Sequence, residues 1–338
     1  MSRKILIIGP AWVGDMVMAQ TLFMLLQHRE PDVAIDVLAP AWSAPLLSRM
    51  PEVSKFIEIA ITHGELKLRE RYQIAKTLRA NGYDQAIILP NSFKSALIPW
   101  WAKIPVRTGW LRELRGLLLN DGRRLNEKKY PLMIERCMAL ALATNESLPN
   151  TYPRPALCVN TELQQAALHK HGLSISNRPI LALCPGAEFG PSKRWPEEYF
   201  AEVAAKKMAE GWDIWIFGSA KDKEVVAKII GENTSHITNL AGRTSLAEAI
   251  DLLSLVTGVV TNDSGLMHIA AALNKPLIAL YGSTSPGFTP PLTPAAKILM
   301  NKIACQPCFK RDCPLQHHRC MRELKPEQVL TSLAEWQN

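Results

Sequence analysis

No apolar run in this chain approaches the roughly 18 residues of a membrane-spanning helix, and the longest early one, Ile5 to Gly14, is broken by Asp15. Arg3 and Lys4 precede that short segment, but no small-residue cleavage site follows it, so a first strand is expected rather than an export signal. The G-x-G-x-x-G fingerprint is absent, which argues against a nicotinamide cofactor. Low-complexity tracts and short-period repeats are also missing. With 47% hydrophobic, 21% charged and 7% aromatic residues the composition is that of an ordinary globular protein, which excludes disordered, collagenous and coiled-coil classes. Seven cysteines is an odd number for a secreted disulfide framework, so a reducing, cytoplasmic compartment is expected and disulfides are not.

What is present is length and uneven charge. A chain of 338 residues is most simply two domains. The net charge is +8, and residues 1–160 hold 21 basic against 14 acidic residues while 161–338 hold 18 against 17. A positive first half points to a polyanionic partner, whether phosphorylated lipid, nucleic acid or an anionic membrane face; solubility alone accounts for the same number.

Strand and helix patterns alternate along the chain, as in an α/β protein with parallel sheets. Apolar β-rich runs predict strands at 4–9, 33–38, 85–89, 180–184, 213–217, 258–261 and 276–281. Helical spacing predicts helices over 13–29, with Met16, Leu22, Leu25 and Leu26 on one face, and over 66–81, 196–210, 221–230, 246–255 and from 264 onward. Residues 145–160 carry three prolines and no periodicity, the best linker. The expected domains are 1–150 and 151–338, each Rossmann-like.

In such folds ligands bind beyond the carboxyl ends of the strands, where helix amino termini point. Three turns there are unusually rich. Gly9-Pro-Ala-Trp-Val-Gly14-Asp15 places a carboxylate at a helix start, either a general base or a first-turn acid favoured by the helix dipole. Thr261-Asn-Asp263-Ser264-Gly265-Leu-Met-His268 opens a helix with small residues, as a phosphate cradle or a plain cap would. Cys184-Pro-Gly186-Ala-Glu-Phe-Gly190-Pro-Ser-Lys193-Arg194-Trp195-Pro196 sets two cations before a helix, as a diphosphate clamp or a solvated loop would. Asp222, in the turn after residue 217, is placed to accept from ribose hydroxyls. Cys305, Cys308, Cys313 and Cys320 lie within sixteen residues. Their number suits one structural zinc, although the six-residue gap before Cys320 is not a standard spacing; redox pairing and free thiols are the alternatives.

Together these blocks, with Pro90-Asn-Ser-Phe-Lys94-Ser-Ala96 and Tyr281-Gly-Ser-Thr-Ser-Pro286, resemble glycosyltransferase family 9, the ADP-heptose:lipopolysaccharide heptosyltransferases. Four blocks in register over residues 9–286 cover most of the chain. The resemblance implies the GT-B architecture, two Rossmann-like domains facing a central cleft, with acceptor bound by the first domain and ADP-heptose by the second. It leaves room for a C-terminal helix packing back on the first domain. It implies Asp15 as base, Lys193 on donor phosphate, Asp263, Ser264, Gly265 and His268 on diphosphate and sugar, Asp222 on ribose and Thr244 by the adenine. Gly186 falls in the donor loop. The reaction implied is inverting transfer of L-glycero-D-manno-heptose to the first heptose of the lipopolysaccharide inner core, a heptosylated Kdo2-lipid A. No catalytic metal is required, leaving a structural zinc on the four cysteines as the cofactor in question.

Acceptor contacts are expected from Lys94, Arg107 and Arg112, within a stretch 103–136 that holds nine basic residues against four acidic ones. Trp100, Trp101 and Trp110 stand beside it as interfacial or packing residues. A peripheral cytoplasmic protein on the inner membrane face follows, with no nucleic-acid partner, since no recognised module is present. The wording of Asn91–Lys94 and Pro185–Gly190 favours the branch that adds the second heptose over the one that adds the first.

Overall fold

Two six-stranded parallel sheets organise the residues described in this computed structural model, 2–61, 64–232 and 235–337. The chain divides into units Met1–Pro155 and Ala156–Asn338. The first unit runs β1 Lys4–Ile8, α1 Val13–Arg29, β2 Ala34–Ala39, α2 Ala44–Leu47, β3 Val53–Glu58 and α3 Leu68–Leu78. It continues through β4 Gln85–Ile88, α4 Leu97–Trp101, β5 Val106–Trp110, β6 Asp121–Arg123 and α5 Met133–Met138. The second unit comprises α6 Thr161–His171, β7 Ile180–Cys184, α7 Glu197–Ala209, β8 Asp213–Ile216, α8 Lys223–Ile230 and β9 Ile237–Asn239. After these come α9 Leu246–Leu253, β10 Gly258–Asn262, α10 Gly265–Ala272, β11 Leu277–Tyr281, β12 Ala296–Met300, α11 Arg319–Arg322 and α12 Pro326–Ala334.

The strand orders are β3-β2-β1-β4-β5-β6 and β12-β11-β10-β7-β8-β9, the doubly wound Rossmann order used twice. Interior strands β4, β7, β10 and β11 are buried throughout, because helices cover both faces of a parallel sheet. The edge strands β3, β6, β9 and β12 are only half-buried and carry no continuous apolar run, and none of them was expected from the sequence. Pairing across the sheet, rather than local pattern, makes them strands.

Helix α1 matches its expected span but not its expected single apolar face. Ten of its residues are buried, Gln20 and Thr21 among them, because the helix lies between the sheet and α5. Gln20 Nε2 donates to Glu52 Oε2 at 3.0 Å, and Thr21 Oγ1 to the Met18 carbonyl at 2.8 Å, so neither polar group is stranded. Helix α6, just past the expected linker and assigned no element from the sequence, is made by its caps: Asn160 Oδ1 accepts from Glu162 and Leu163 amides, and Gly172 closes it at φ 63°.

Residues 145–160 are tied down at both ends. Tyr152 Oη donates to Glu135 Oε1 at 2.8 Å in the first unit, and the Leu157 amide to the Ala272 carbonyl at 3.1 Å in the second. The Pro-Arg-Pro-Ala stretch runs between these anchors, and the division into units falls at 155/156. The last helix buries its apolar face in its own unit, where Val329 and Leu333 of α12 join Phe200, Val203, Ile214 and Ile278 in one core.

Candidate active site

Every expected donor-side residue follows a strand of the second sheet at its carboxyl end, around the β7/β10 switch point where the strand order reverses. Lys193, in the turn after β7, points its Nζ to Asp263 Oδ2 at 2.6 Å. The pair is held almost out of solvent, the Lys193 side chain 14% exposed and that of Asp263 3%. Thr284 Oγ1, from the turn after β11, donates to the same carboxylate oxygen at 2.5 Å. Lys193 Nζ also lies 5.0 Å from the Phe189 ring centroid. Three turns thus converge on one carboxylate, and the carboxylate aims the lysine.

Asn262 locks the arrangement. Its Oδ1 accepts from the Trp195 amide at 3.1 Å and its Nδ2 donates to the Pro185 carbonyl at 2.7 Å, pinning the long β7–α7 loop to the end of β10. Trp195 is 1% exposed, donates Nε1 to the Leu324 carbonyl at 2.7 Å and packs edge-on against Phe200. Neither residue carried an expected role, nor did Thr284. All three lay inside quoted motifs, where the sequence shows residue types but not partners.

Helix α10 begins beside this cluster. Ser264, its N-cap, is extended and makes no capping bond from its side chain, while Ser264 and Gly265 stay partly exposed. The first-turn amides are therefore the natural anion donors here. His268, four residues in, is 5% exposed. Burial pushes its pKa down to about 4, the Asp263 carboxylate opposing and Lys193 adding to the shift. At neutral pH it is an uncharged ring beside the Lys193–Asp263 pair. The unfolded chain takes up this proton near pH 6.5 and the folded one only near 4, so stability present above pH 6.5 drains away as the pH falls through this window. Urea unfolding should show a loss of about 2 kcal/mol between pH 7 and pH 5, at 1.36 kcal/mol per unit. His268→Gln should flatten that slope; an unchanged slope would assign it to other groups.

Asp222 and Gly186 meet directly. A Cβ on Gly186 would sit 2.6 Å from Asp222 Oδ2, so only glycine fits. That oxygen accepts from the Ser219 amide and hydroxyl, both at 2.8 Å, and Oδ1 lies 3.6 Å from Arg194 Nη2. Asp222 is buried and serves its own turn first, with Oδ1 facing Arg194. Thr244 Oγ1 donates to the Leu240 carbonyl at 3.3 Å, in a loop that approaches the Ser219–Asp222 turn through Gly242.

The four-cysteine segment backs this site. Ser192 Oγ contacts Ser283 Oγ at 2.8 Å and donates to the Lys310 carbonyl at 2.5 Å, and a Cβ on Gly190 would lie 2.5 Å from the Arg311 carbonyl oxygen. All four cysteines line one pocket with Ser192 and Ser283. Burial pushes the Cys320 thiol up, with Cys305, Cys313 and Cys308 acting the same way. At Cys313 slight burial is outweighed by amides of His318, Leu315, His317 and Gln316, which hold the thiol below its ordinary value. The donor set suits a soft cation. Among the described residues no three His, Cys, Asp or Glu side chains are already gathered to hold a metal, so the four thiols of this pocket would have to draw together around one.

In the first unit Asp15 stands in the first turn of α1, directly after β1 and partly buried. It is near enough to Cys137 to add to the burial that pushes that thiol up to about 12. Lys94 follows β4, its Nζ donating to the Glu65 carbonyl at 3.2 Å. Arg112 follows β5 and pairs with Glu127 Oε1 at 2.8 Å, with both side chains at least half exposed. Arg107 is engaged by the backbone of its own unit. It sits near the amino end of β5, donating to the Leu118 carbonyl at 2.7 Å and the Ile104 carbonyl at 2.6 Å, and burial lowers its pKa.

The basic stretch is correspondingly thinner than its composition suggests. Arg115 is fully buried, and Arg123 and Arg136 donate to the carbonyls of Ala139 and Tyr130. Trp110 is buried as well, donating to the Arg136 carbonyl at 3.1 Å.

The family model "Glycosyltransferase family 9 (heptosyltransferase)" matches residues 71–319. The chain belongs to glycosyltransferase family 9. Lipopolysaccharide heptosyltransferase 2 of Escherichia coli K12 is 47% identical over 98% of this chain and 97% of its own length. Lipooligosaccharide heptosyltransferase 2 of Haemophilus influenzae is 46% identical over 98% and 99%. The solved structure of E. coli ADP-heptose lps heptosyltransferase II superimposes with a TM-score of 0.89 at 45% identity, covering 98% of each chain. A lipopolysaccharide heptosyltransferase 1, from Pseudomonas aeruginosa, is 27% identical over 97% of this chain. This family 9 glycosyltransferase is thus α/β, with two Rossmann-like units of the GT-B class.

Proposed function

We propose that the chain transfers L-glycero-D-manno-heptose from ADP-heptose to the first heptose of the lipopolysaccharide inner core, with inversion. The observation that carries the acceptor choice is the 47% identity along nearly the whole of both chains to a heptosyltransferase 2. The donor side rests on the convergence of Lys193, Asp263 and Thr284 beside the open amino end of α10. In the proposed step the acceptor hydroxyl oxygen attacks the anomeric carbon and the bond to the diphosphate oxygen breaks. ADP leaves with the electron pair, and Asp15 takes the hydroxyl proton. Lys193 and the α10 amides stabilise the charge growing on the diphosphate. Asp263 holds Lys193 in place rather than touching an anion it would repel. Lys94 and Arg112 are proposed on the acceptor side, and Asp222 Oδ1 and Thr244 around the nucleoside.

The test is an assay with ADP-heptose and Kdo2-lipid A acceptors bearing no heptose or one. Product only on the heptosylated acceptor is expected. Product on the unheptosylated one alone would assign the chain to the first transfer instead.

The acceptor is a lipid, so contact with an anionic membrane face belongs to the same proposal. Among the described residues no helix is long and apolar enough to cross a membrane. We also propose that Cys305, Cys308, Cys313 and Cys320 close on one zinc, which would brace the Gly190–Lys193 turn from behind; no step of the transfer runs through it. Elemental analysis of protein purified without added metal should find about one zinc per chain, the load of a single four-thiolate site. Metal-free protein with four freely titratable thiols would sink this idea.

A further inference from the structure

The loop between β5 and β6 has its polarity reversed. Arg115 is fully buried, while Leu114 and Leu117 are 92% and 90% exposed. The loop is anchored, not slack. Arg115 Nε donates to the Trp110 carbonyl at 2.8 Å, Nη1 to Ser95 Oγ at 3.2 Å and to the Pro90 carbonyl, and Nη2 to Asn91 Oδ1 at 3.2 Å. Glu113 and Leu114 adopt φ of 47° and 58°, which non-glycine residues rarely occupy without a constraint to hold them there. Fixed leucines standing in water are the reverse of ordinary burial, so their exposure is built into the loop.

The surroundings are basic. Residues 111–129 hold six Lys/Arg against three Asp/Glu. Each acid is engaged: Glu113 accepts from the Phe93 amide at 2.8 Å, Glu127 pairs with Arg112, and Asp121 with Arg123 at 2.7 Å. Arg124, Lys128 and Lys129 are exposed, and Phe93, tied to Glu113, is 40% exposed. Two protruding leucines beside clustered cations match a bilayer surface, where apolar side chains enter the interfacial layer and cations meet anionic headgroups. The loop leaves the carboxyl end of β5, the same edge of the sheet from which Asp15 follows β1.

We propose that this loop is a lipid-contacting tip, with Leu114 and Leu117 entering an anionic bilayer while Arg124, Lys128 and Lys129 meet its phosphates. The inference rests on the lipid-acceptor reading above and names the segment that delivers it. The test is flotation of the full-length protein with vesicles of phosphatidylethanolamine and phosphatidylglycerol. Leu114→Ser with Leu117→Ser should lower partitioning roughly 100-fold, about ten-fold per leucine. ADP affinity, melting temperature and turnover on an acceptor stripped of its acyl chains should not change, since both side chains face solvent. Turnover on vesicle-embedded acceptor should fall with partitioning.

Vesicle binding unchanged in the double variant would overturn the proposal. So would a concentration-dependent dimer of the parent protein that the variant abolishes, because the leucines would then serve a second copy of the chain. If the parent fails to glycosylate the stripped acceptor while vesicle binding still responds to the leucines, the proposed reaction falls and the lipid tip stands.

Discussion

Asp15→Asn should leave the chain folded and able to bind ADP while turnover falls roughly 10²–10⁴-fold, the usual effect of losing a positioned base. The substitution keeps shape and hydrogen-bonding capacity at the first turn of α1, which the buried residues Met16 to Phe23 hold in place. Loss of one first-turn carboxylate at a helix dipole changes stability by only about 0.3–1 kcal/mol. The two roles therefore predict different measurements. A base predicts a large fall in kcat with little change in melting temperature; a dipole partner predicts a small stability change with normal kcat. Turnover within a few-fold of the parent would return Asp15 to the second role.

Lys193→Ala should combine a functional loss with a structural one. Without its ammonium the diphosphate loses a charge-assisted partner, and ADP-heptose use should fall by at least about 10²-fold, of the order seen when one preorganised donor is removed from an active site. The Asp263 carboxylate, 3% exposed in the parent, would meanwhile keep the Thr284 hydroxyl but lose its cation. Leaving a buried charge uncompensated costs about 3–5 kcal/mol. Asp263→Asn removes that charge, so adding it to Lys193→Ala should recover much of the stability and none of the activity. Asp263→Asn alone should weaken donor use less than Lys193→Ala, because the lysine remains and only its aim suffers. Equal losses from the two single variants would mean that Asp263 itself contacts the donor.

Interior strands β1, β4, β7, β10 and β11 were legible in the sequence to within a residue or two, because burial on both faces of a parallel sheet writes a continuous apolar run into each. The strand-end turns were legible for a related reason. Small residues, prolines and charges concentrate where a chain must reverse beyond a strand, so Asp15, Lys193, Asp263 and Asp222 could be placed on one edge of their sheets in advance. The resemblance to family 9 rested on those same turns, and the comparisons bear it out.

The partners of those residues were not legible. Arg107, Arg112 and Arg115 are the same residue type in one basic stretch; folding gives the first to backbone carbonyls, the second to an exposed ion pair and the third to the core. Charge counting assigns all three outward, because composition records a charge and not the carbonyls that will surround it. Asn262 and Thr284 organise the donor-side cluster, and Arg115 its own loop, through partners 21 to 77 positions away. Edge strands such as β6, three residues of Asp-Gly-Arg, exist only because β5 offers them a ladder. What the sequence by itself determined was the alternation of elements, most interior strands (β5, Val106–Trp110, escaped because Arg107 and Gly109 break its apolar run) and the edge at which chemistry gathers, since each follows from local pattern. Only the tertiary structure decided which charges are buried and aimed and which leucines are held in water, because both depend on contacts between segments far apart in the chain.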